Sequence, residues 1–207
     1  PDSPKPAHDW RASFGIALPV IQGEAAVFPR SHFSQLVEKE IGTSVAELAT
    51  QWPEISGKAG ELTEIAISHS RIKRIYLVGV GAQSHDDLRK AGVALARKVK
   101  SSEKVITDAL VNDKSQAVAH FIALSLASYS WSQKTKPANK PATFLIIGKF
   151  ETELERARIL SHAVWRARDL IHTPSNIKTP LWMANQVASW VKAAKNPALT
   201  IAVKSGK

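Results

Sequence analysis

The chain has 207 residues, 44% hydrophobic and 22% charged, with 28 Lys and Arg against 18 Asp and Glu for a formal charge of +10. These are globular proportions and exclude a chain too polar and too charged to bury a core. It contains no cysteine, which removes disulfides, thiolate metal sites and cysteine nucleophiles and points to a reducing, cytoplasmic setting.

No apolar run approaches the roughly 20 residues of a membrane-spanning helix, so no membrane partner is expected. Residues 1–10, rich in proline and lacking an apolar stretch, read as a flexible tail. Phe14 to Val20 reads as a first strand, which Pro19 pushes toward a sheet edge or marks near its end. Ser31 can cap a helix to about Ile41, whose apolar positions Phe33, Leu36, Val37 and Ile41 recur three and four apart. Ser44 with Glu47 suggests a capping box for a short helix through Thr50. Two strand-like runs follow, Glu64 to Ser68 and Arg71 to Val80. The second is apolar at consecutive positions, as a strand covered on both faces should be.

From Asp86 to Lys100 a helical projection places Leu88, Ala91, Leu95 and Val99 on one side and Arg89, Lys90, Arg97 and Lys100 on the other, with Lys98 at the margin. Lys104 to Val111 reads as a strand, Lys114 to Tyr129 as a helix, and Gln133 to Pro141 as a surface loop. Ala142 to Gly148 is a further strand. Thr152 with Glu155 suggests a capping box for a helix to about Ile171. Thr179 and Pro180 announce another helix, ending near Lys195, and Leu199 to Val203 begins a last strand. Strands alternating with helices predict an α/β fold, a mostly parallel sheet flanked by helices. The boundaries expected are a domain over 11–150, a linker helix over 151–172 and the start of a second domain over 173–207.

Charge is uneven. Residues 1–70 hold 5 basic and 9 acidic groups, residues 71–140 hold 13 and 5, and residues 141–207 hold 10 and 4. The face of Arg89, Lys90, Arg97, Lys98 and Lys100 is therefore a candidate phosphate or nucleic-acid contact, against the alternative of a solvated basic face. Gly79, Gly81 and Ser84 lie between a strand and a helix, where backbone amides can hold an anion such as a nucleotide diphosphate. The competing use of these glycines is to turn the chain off a buried strand. Asp86 and Asp87 answer the positive end of the helix they open. His120 reads as a packing residue within an apolar helix. None of the seven histidines pairs with an acid at zinc-binding spacing, and there is no Gly-x-Ser-x-Gly elbow, so no metal, cofactor or catalytic residue is assigned within the chain.

Several segments, in order, carry a resemblance: Ser56-Gly57-Lys58-Ala59-Gly60-Glu61, Ile75-Tyr76-Leu77-Val78-Gly79-Val80-Gly81, Leu88-Arg89-Lys90-Ala91, Leu126-Ala127-Ser128-Tyr129-Ser130-Trp131, and Ala167 to Asn176 with Thr179-Pro180. From Ser56 onward the chain resembles the leucyl, or cytosol, aminopeptidase family, with His172 where that family usually carries asparagine. The resemblance implies a macro-domain-like N-terminal domain, a linker helix and the first elements of a catalytic domain. It implies release of N-terminal amino acids by two divalent metals, manganese or zinc, held in the family's C-terminal catalytic domain. The partners implied are the chain's own catalytic domain, a homo-hexamer and, in some members, DNA.

Overall fold

The computed structural model describes residues 15–99, 104–108, 113–132 and 142–204. The expected tail over 1–10, the loop over 133–141 and Lys100 lie outside the described residues. The chain divides into two compact units, Pro1–Trp165 and Arg166–Lys207, each of which is described by itself.

The first unit is built on β1 (Gly15–Ile21), α1 (His32–Ile41), α2 (Val45–Ala49), β2 (Leu62–Ala66), β3 (Arg74–Gly81), α3 (His85–Lys98), β4 (Lys104–Thr107), α4 (Lys114–Ala127), β5 (Thr143–Ile146) and the first half of α5 (Glu151–His172). The strands form one sheet in the order β2-β3-β1-β4-β5. All neighbours are parallel except β2 against β3.

Pro19 does not place β1 at an edge, because β1 is the middle strand. Its ladder with β4 runs from Gly15↔Val105 to Ala17↔Thr107, so the proline lies beyond the last pair with β4, where its missing N–H costs that ladder nothing. On the other side Pro19 is paired with Val78 of β3.

Alternate residues of the central strands face opposite ways and make two cores. Ile16, Leu18, Val20, Ile75, Leu77 and Ile106 pack with Phe33 and Val37 of α1 and Val45 and Ala49 of α2. Ala17, Tyr76, Val78, Val80 and Val105 pack with Leu88, Ala91 and Leu95 of α3 and Leu124 of α4. A smaller cluster of Ala117, Phe121 and Ala157 joins α4 to α5.

Two of the helix starts, at Ser31 and Ser44, follow the expected chemistry, and Ser84, expected only in an anion-holding loop, is a third cap. The side chains of Ser31, Ser44 and Ser84 accept the backbone N–H groups of Ser34, Glu47 and Asp87. At Ser84 the reciprocal bond from Asp87 is also made. Glu47 instead accepts the Thr43 hydroxyl. Thr152 does not cap α5: the helix begins at Glu151, Leu154 donates to the Phe150 carbonyl, and Glu155 is held by Arg158.

In the second unit, α6 (Pro180–Ala194) has Thr179 as its N-cap and proline in its first turn. Residues 199–203 form no strand, since no described neighbour pairs with them, and Leu199, Ile201 and Val203 are exposed.

Candidate functional site

The glycine-bearing turn after β3 is closed by a second loop, residues 56–61. Gly60 donates to the Gly79 carbonyl, Gly79 to that of Glu61, and Gly81 to that of Gly57. A Cβ at Gly79 would collide with the Lys58 carbonyl, and one at Gly81, where φ is +57°, would stand 2.9 Å from the Asp87 carboxyl carbon. The glycines thus permit the two loops to touch. Gln83, with φ 60°, turns the chain into α3, and its N–H donates to the Val80 carbonyl.

The amides of Gly79, Gly81, Gln83 and Ser84 therefore all have internal acceptors, and the anion held at the start of α3 is the Asp87 carboxylate, which takes the Ser84 N–H at 3.4 Å. The neighbouring loop is arranged the same way. The Glu61 carboxylate accepts from the Ser56 N–H at 3.1 Å, the Ser56 hydroxyl at 2.9 Å and the Lys58 N–H at 3.1 Å. It fills a concavity of amides of the kind that otherwise binds a free anion.

A third carboxylate lies where an open α/β sheet usually takes its ligand. After β1 the chain moves to β3 on one side, and after β4 to β5 on the other, so the switch in direction falls between the carboxyl ends of β1 and β4. There Asp108 follows β4, donates its N–H to the Ala17 carbonyl, and accepts the hydroxyl of Ser31, the cap of α1. Burial raises the Asp108 pKa above the ordinary carboxylate value, and the Ser31 hydrogen bond only partly offsets it. This link joins residues 77 apart in sequence. The one local signal for it was the capping serine.

On α3 the apolar side predicted from periodicity is buried, while Arg89, Lys90, Arg97 and Lys98 are exposed. Lys90 is paired with Asp86 at 2.7 Å, which lowers the Asp86 pKa, and Lys98 is paired with Glu64 at 2.9 Å. Arg97 makes no ion pair among the described residues, and Arg89 acts on Asp86 only through the longer-range field. Of the seven described members of the two candidate sites, Lys90 and Lys98 are engaged in ion pairs and the amides of Gly79, Gly81 and Ser84 in internal hydrogen bonds.

His120 is 3% exposed, and its Nδ1 donates to the Leu88 carbonyl at 2.8 Å; burial lowers its pKa. His85 and Ser115 join the starts of α3 and α4 at 2.8 Å, and Ser115 in turn donates to Asp113 at 2.7 Å. Among the described residues no group of three or more His, Asp or Glu side chains could hold a metal ion. The dimetal centre implied by the resemblance does not fit these residues, and no chemical step through it is derived from them.

In the second unit, α6 carries Leu181, Met183 and Val187 at 69%, 38% and 36% exposure and has no buried residue. Arg166 stacks over the Trp190 ring at 5.8 Å, and the Lys178 ammonium donates to the Leu170 carbonyl at 2.8 Å.

The chain is 28% identical over 201 residues to a probable cytosol aminopeptidase of Picosynechococcus, covering 90% of this chain and 40% of that protein. It is 24% identical to the chloroplastic leucine aminopeptidase 3 of Arabidopsis thaliana, covering 91% and 36%. It thus spans about two fifths of the length of the curated relatives it matches. The bottromycin maturation enzyme BotP, solved in complex with Mn, superposes with a TM-score of 0.65 at 17% identity over 88% of this chain and 37% of that one, a likeness of fold. The family model for the N-terminal domain of cytosol aminopeptidases matches residues 19–136, more than half of the chain, and the protein belongs to the cytosol aminopeptidase family.

Proposed function

We propose that this chain is the N-terminal, assembly and regulatory portion of a cytosolic dimetal aminopeptidase that removes N-terminal residues from peptides. In this reading the metal-holding and catalytic groups belong to sequence other than these 207 residues, and α6 with residues 199–203 supplies the first elements of the catalytic domain. The observation that carries it is α6, an apolar helix without a single buried residue in a chain whose first unit matches the family's N-terminal domain. Leaving Leu181, Met183 and Val187 in water forgoes roughly 1.5–3 kcal/mol for each fully buried side chain, so a further layer of protein is the physical complement of this surface.

Leucine amide hydrolysis by the purified chain, with manganese or zinc added, tests the reading. The expected rate is that of buffer with metal alone. Sustained turnover by the chain itself would place the chemistry in these residues.

A second reading, contact of α3 with a nucleic-acid backbone, is favoured by the exposed guanidinium of Arg97, without an ion pair among the described residues, and that of Arg89 about two helical turns before it. Binding of duplex DNA should then weaken between about 50 and 200 mM salt by roughly tenfold for every two phosphate contacts, and should weaken in the Arg89→Ala, Arg97→Ala double variant. Salt-independent binding contradicts it.

A further inference from the structure

Where β1 ends, the loop over 28–30 and the facing ends of α1 and α2 enclose a pocket of about 240 Å³. Leu18 and Val45, both buried, and the half-buried Phe28 make its back, while Arg30 and Ala46 are exposed at its mouth. The volume lies below the roughly 300–1,000 Å³ of sites for drug-sized ligands, which leaves room for one small molecule and excludes a dinucleotide or a peptide. The hydroxyls of Ser34 and Ser44, which also line it, are engaged at their own helix ends. The polar groups left to a ligand are the opposite charges of Arg30 and Glu38.

These two charges are unevenly used. The Glu38 side chain is 14% exposed, and its Oε1 accepts the Val45 N–H at 2.9 Å. Among the described residues its Oε2 meets only Arg30 Nη2, at 3.4 Å, the outer limit of a hydrogen bond. The Arg30 side chain is 74% exposed and makes no other bond among the described residues, so most of its five donors are free. A pair so long and so open to water holds weakly. Arg30 can therefore turn to an incoming carboxylate while Glu38 Oε2 takes an incoming ammonium.

We propose that this pocket binds a free α-amino acid with an apolar side chain, its ammonium on Glu38, its carboxylate on Arg30 and its side chain against Leu18, Phe28 and Val45. Opposite charges on the wall of a small apolar pocket select the zwitterion. A plain amine would leave Arg30 unmatched, a plain carboxylate would be repelled by Glu38, and an uncharged molecule would gain from neither. The inference deepens the aminopeptidase reading and rests on it for the source of the ligand, because free amino acids are what that reaction releases.

The test is calorimetric titration of L-leucine into the 207-residue chain with no metal added, so its outcome is separate from that of leucine amide hydrolysis. A Kd of about 1 mM or tighter is expected. Glu38→Gln, which keeps an acceptor for the Val45 N–H, should weaken binding at least about tenfold, the worth of one hydrogen bond to a charged group, and Arg30→Ala should weaken it several-fold. Glycine, which leaves the apolar wall unfilled, should bind at least about tenfold more weakly than leucine. Isocaproate and isopentylamine, which are leucine without its ammonium and without its carboxylate, should both bind more weakly. They carry the test on the unaltered protein where Glu38→Gln does not keep the wild-type melting temperature. Absence of saturable binding, binding of either analogue as tight as that of leucine, or unchanged binding in a folded Glu38→Gln variant overturns the proposal.

Discussion

Gly92 of α3 lies so close to α4 that a Cβ on it would stand 2.8 Å from the carbonyl oxygen of His120 and 3.3 Å from His120 Nδ1. The absent side chain is the notch through which the imidazole reaches the Leu88 carbonyl. In an open helix, Gly→Ala would stabilise by about 1 kcal/mol. Here the first atom met is backbone, which cannot swing aside, so Gly92→Ala should destabilise by roughly 1–3 kcal/mol. Urea unfolding gives the sign directly.

The same imidazole makes stability depend on pH. Burial lowers the His120 pKa below its ordinary 6.5, so on acidification the unfolded chain takes up the proton first. This contribution is fully present above pH 6.5 and is lost as pH falls through 6.5 toward the folded value. His120→Gln keeps an N–H for Leu88 without a titrating group. It should flatten the slope of stability against pH just below 6.5, and an unchanged slope would assign the effect to another group.

Asp108 acts in the opposite sense. Its folded pKa is raised above 3.8 by burial, so the protonated form is favoured in the fold and stability declines as pH rises from 3.8 through the folded value, staying lower at neutral pH. Asp108→Asn should raise the denaturation midpoint at pH 7 while still accepting the Ser31 hydroxyl. Ser31→Ala should lower the stability by about 1 kcal/mol, because the substitution removes the cap of α1 together with the donor to Asp108.

Glu61 is an internal anion for the 56–58 amides. Removing it in Glu61→Ala leaves the Ser56 and Lys58 N–H groups and the Ser56 hydroxyl without that acceptor, for an expected loss of about 1–3 kcal/mol. Formate or acetate should restore part of the melting temperature in the variant and leave the wild type unchanged. No difference between the two proteins would argue against an anion-shaped loop.

Much of the fold is legible locally. Serine and threonine caps mark the starts of α1, α2 and α6, and the consecutive apolar residues of β3 announce burial on both faces. Of the two readings of Pro19, the sheet edge fails because β1 is the middle strand, while the strand end holds on the β4 side, where the ladder stops at Ala17. Thr152 misleads because a capping pattern can fall inside a helix already begun at Glu151. Residues 199–203 carry strand-like alternation without a partner, and pairing is not a property of one segment.

The candidate site was less legible. The glycines after β3 were visible, but the carboxylates that fill the surrounding amides come from different places: Asp87 from three residues past Ser84, Glu61 from a loop closed against β3, and Asp108 from 77 residues beyond Ser31. Only folding brings these groups to their donors. The family resemblance, by contrast, rests on ordered short segments such as Ser56 to Glu61 and is carried by identity of residues, with no need of contact.

We propose that the groups able to grip two divalent cations are not among these residues. Metal content after equilibrium dialysis of the purified chain against micromolar manganese or zinc, at neutral pH without chelator, tests it most directly. The bound fraction should stay well below one ion per chain. Retention of about two ions per chain, as a dimetal hydrolase centre requires, would contradict it.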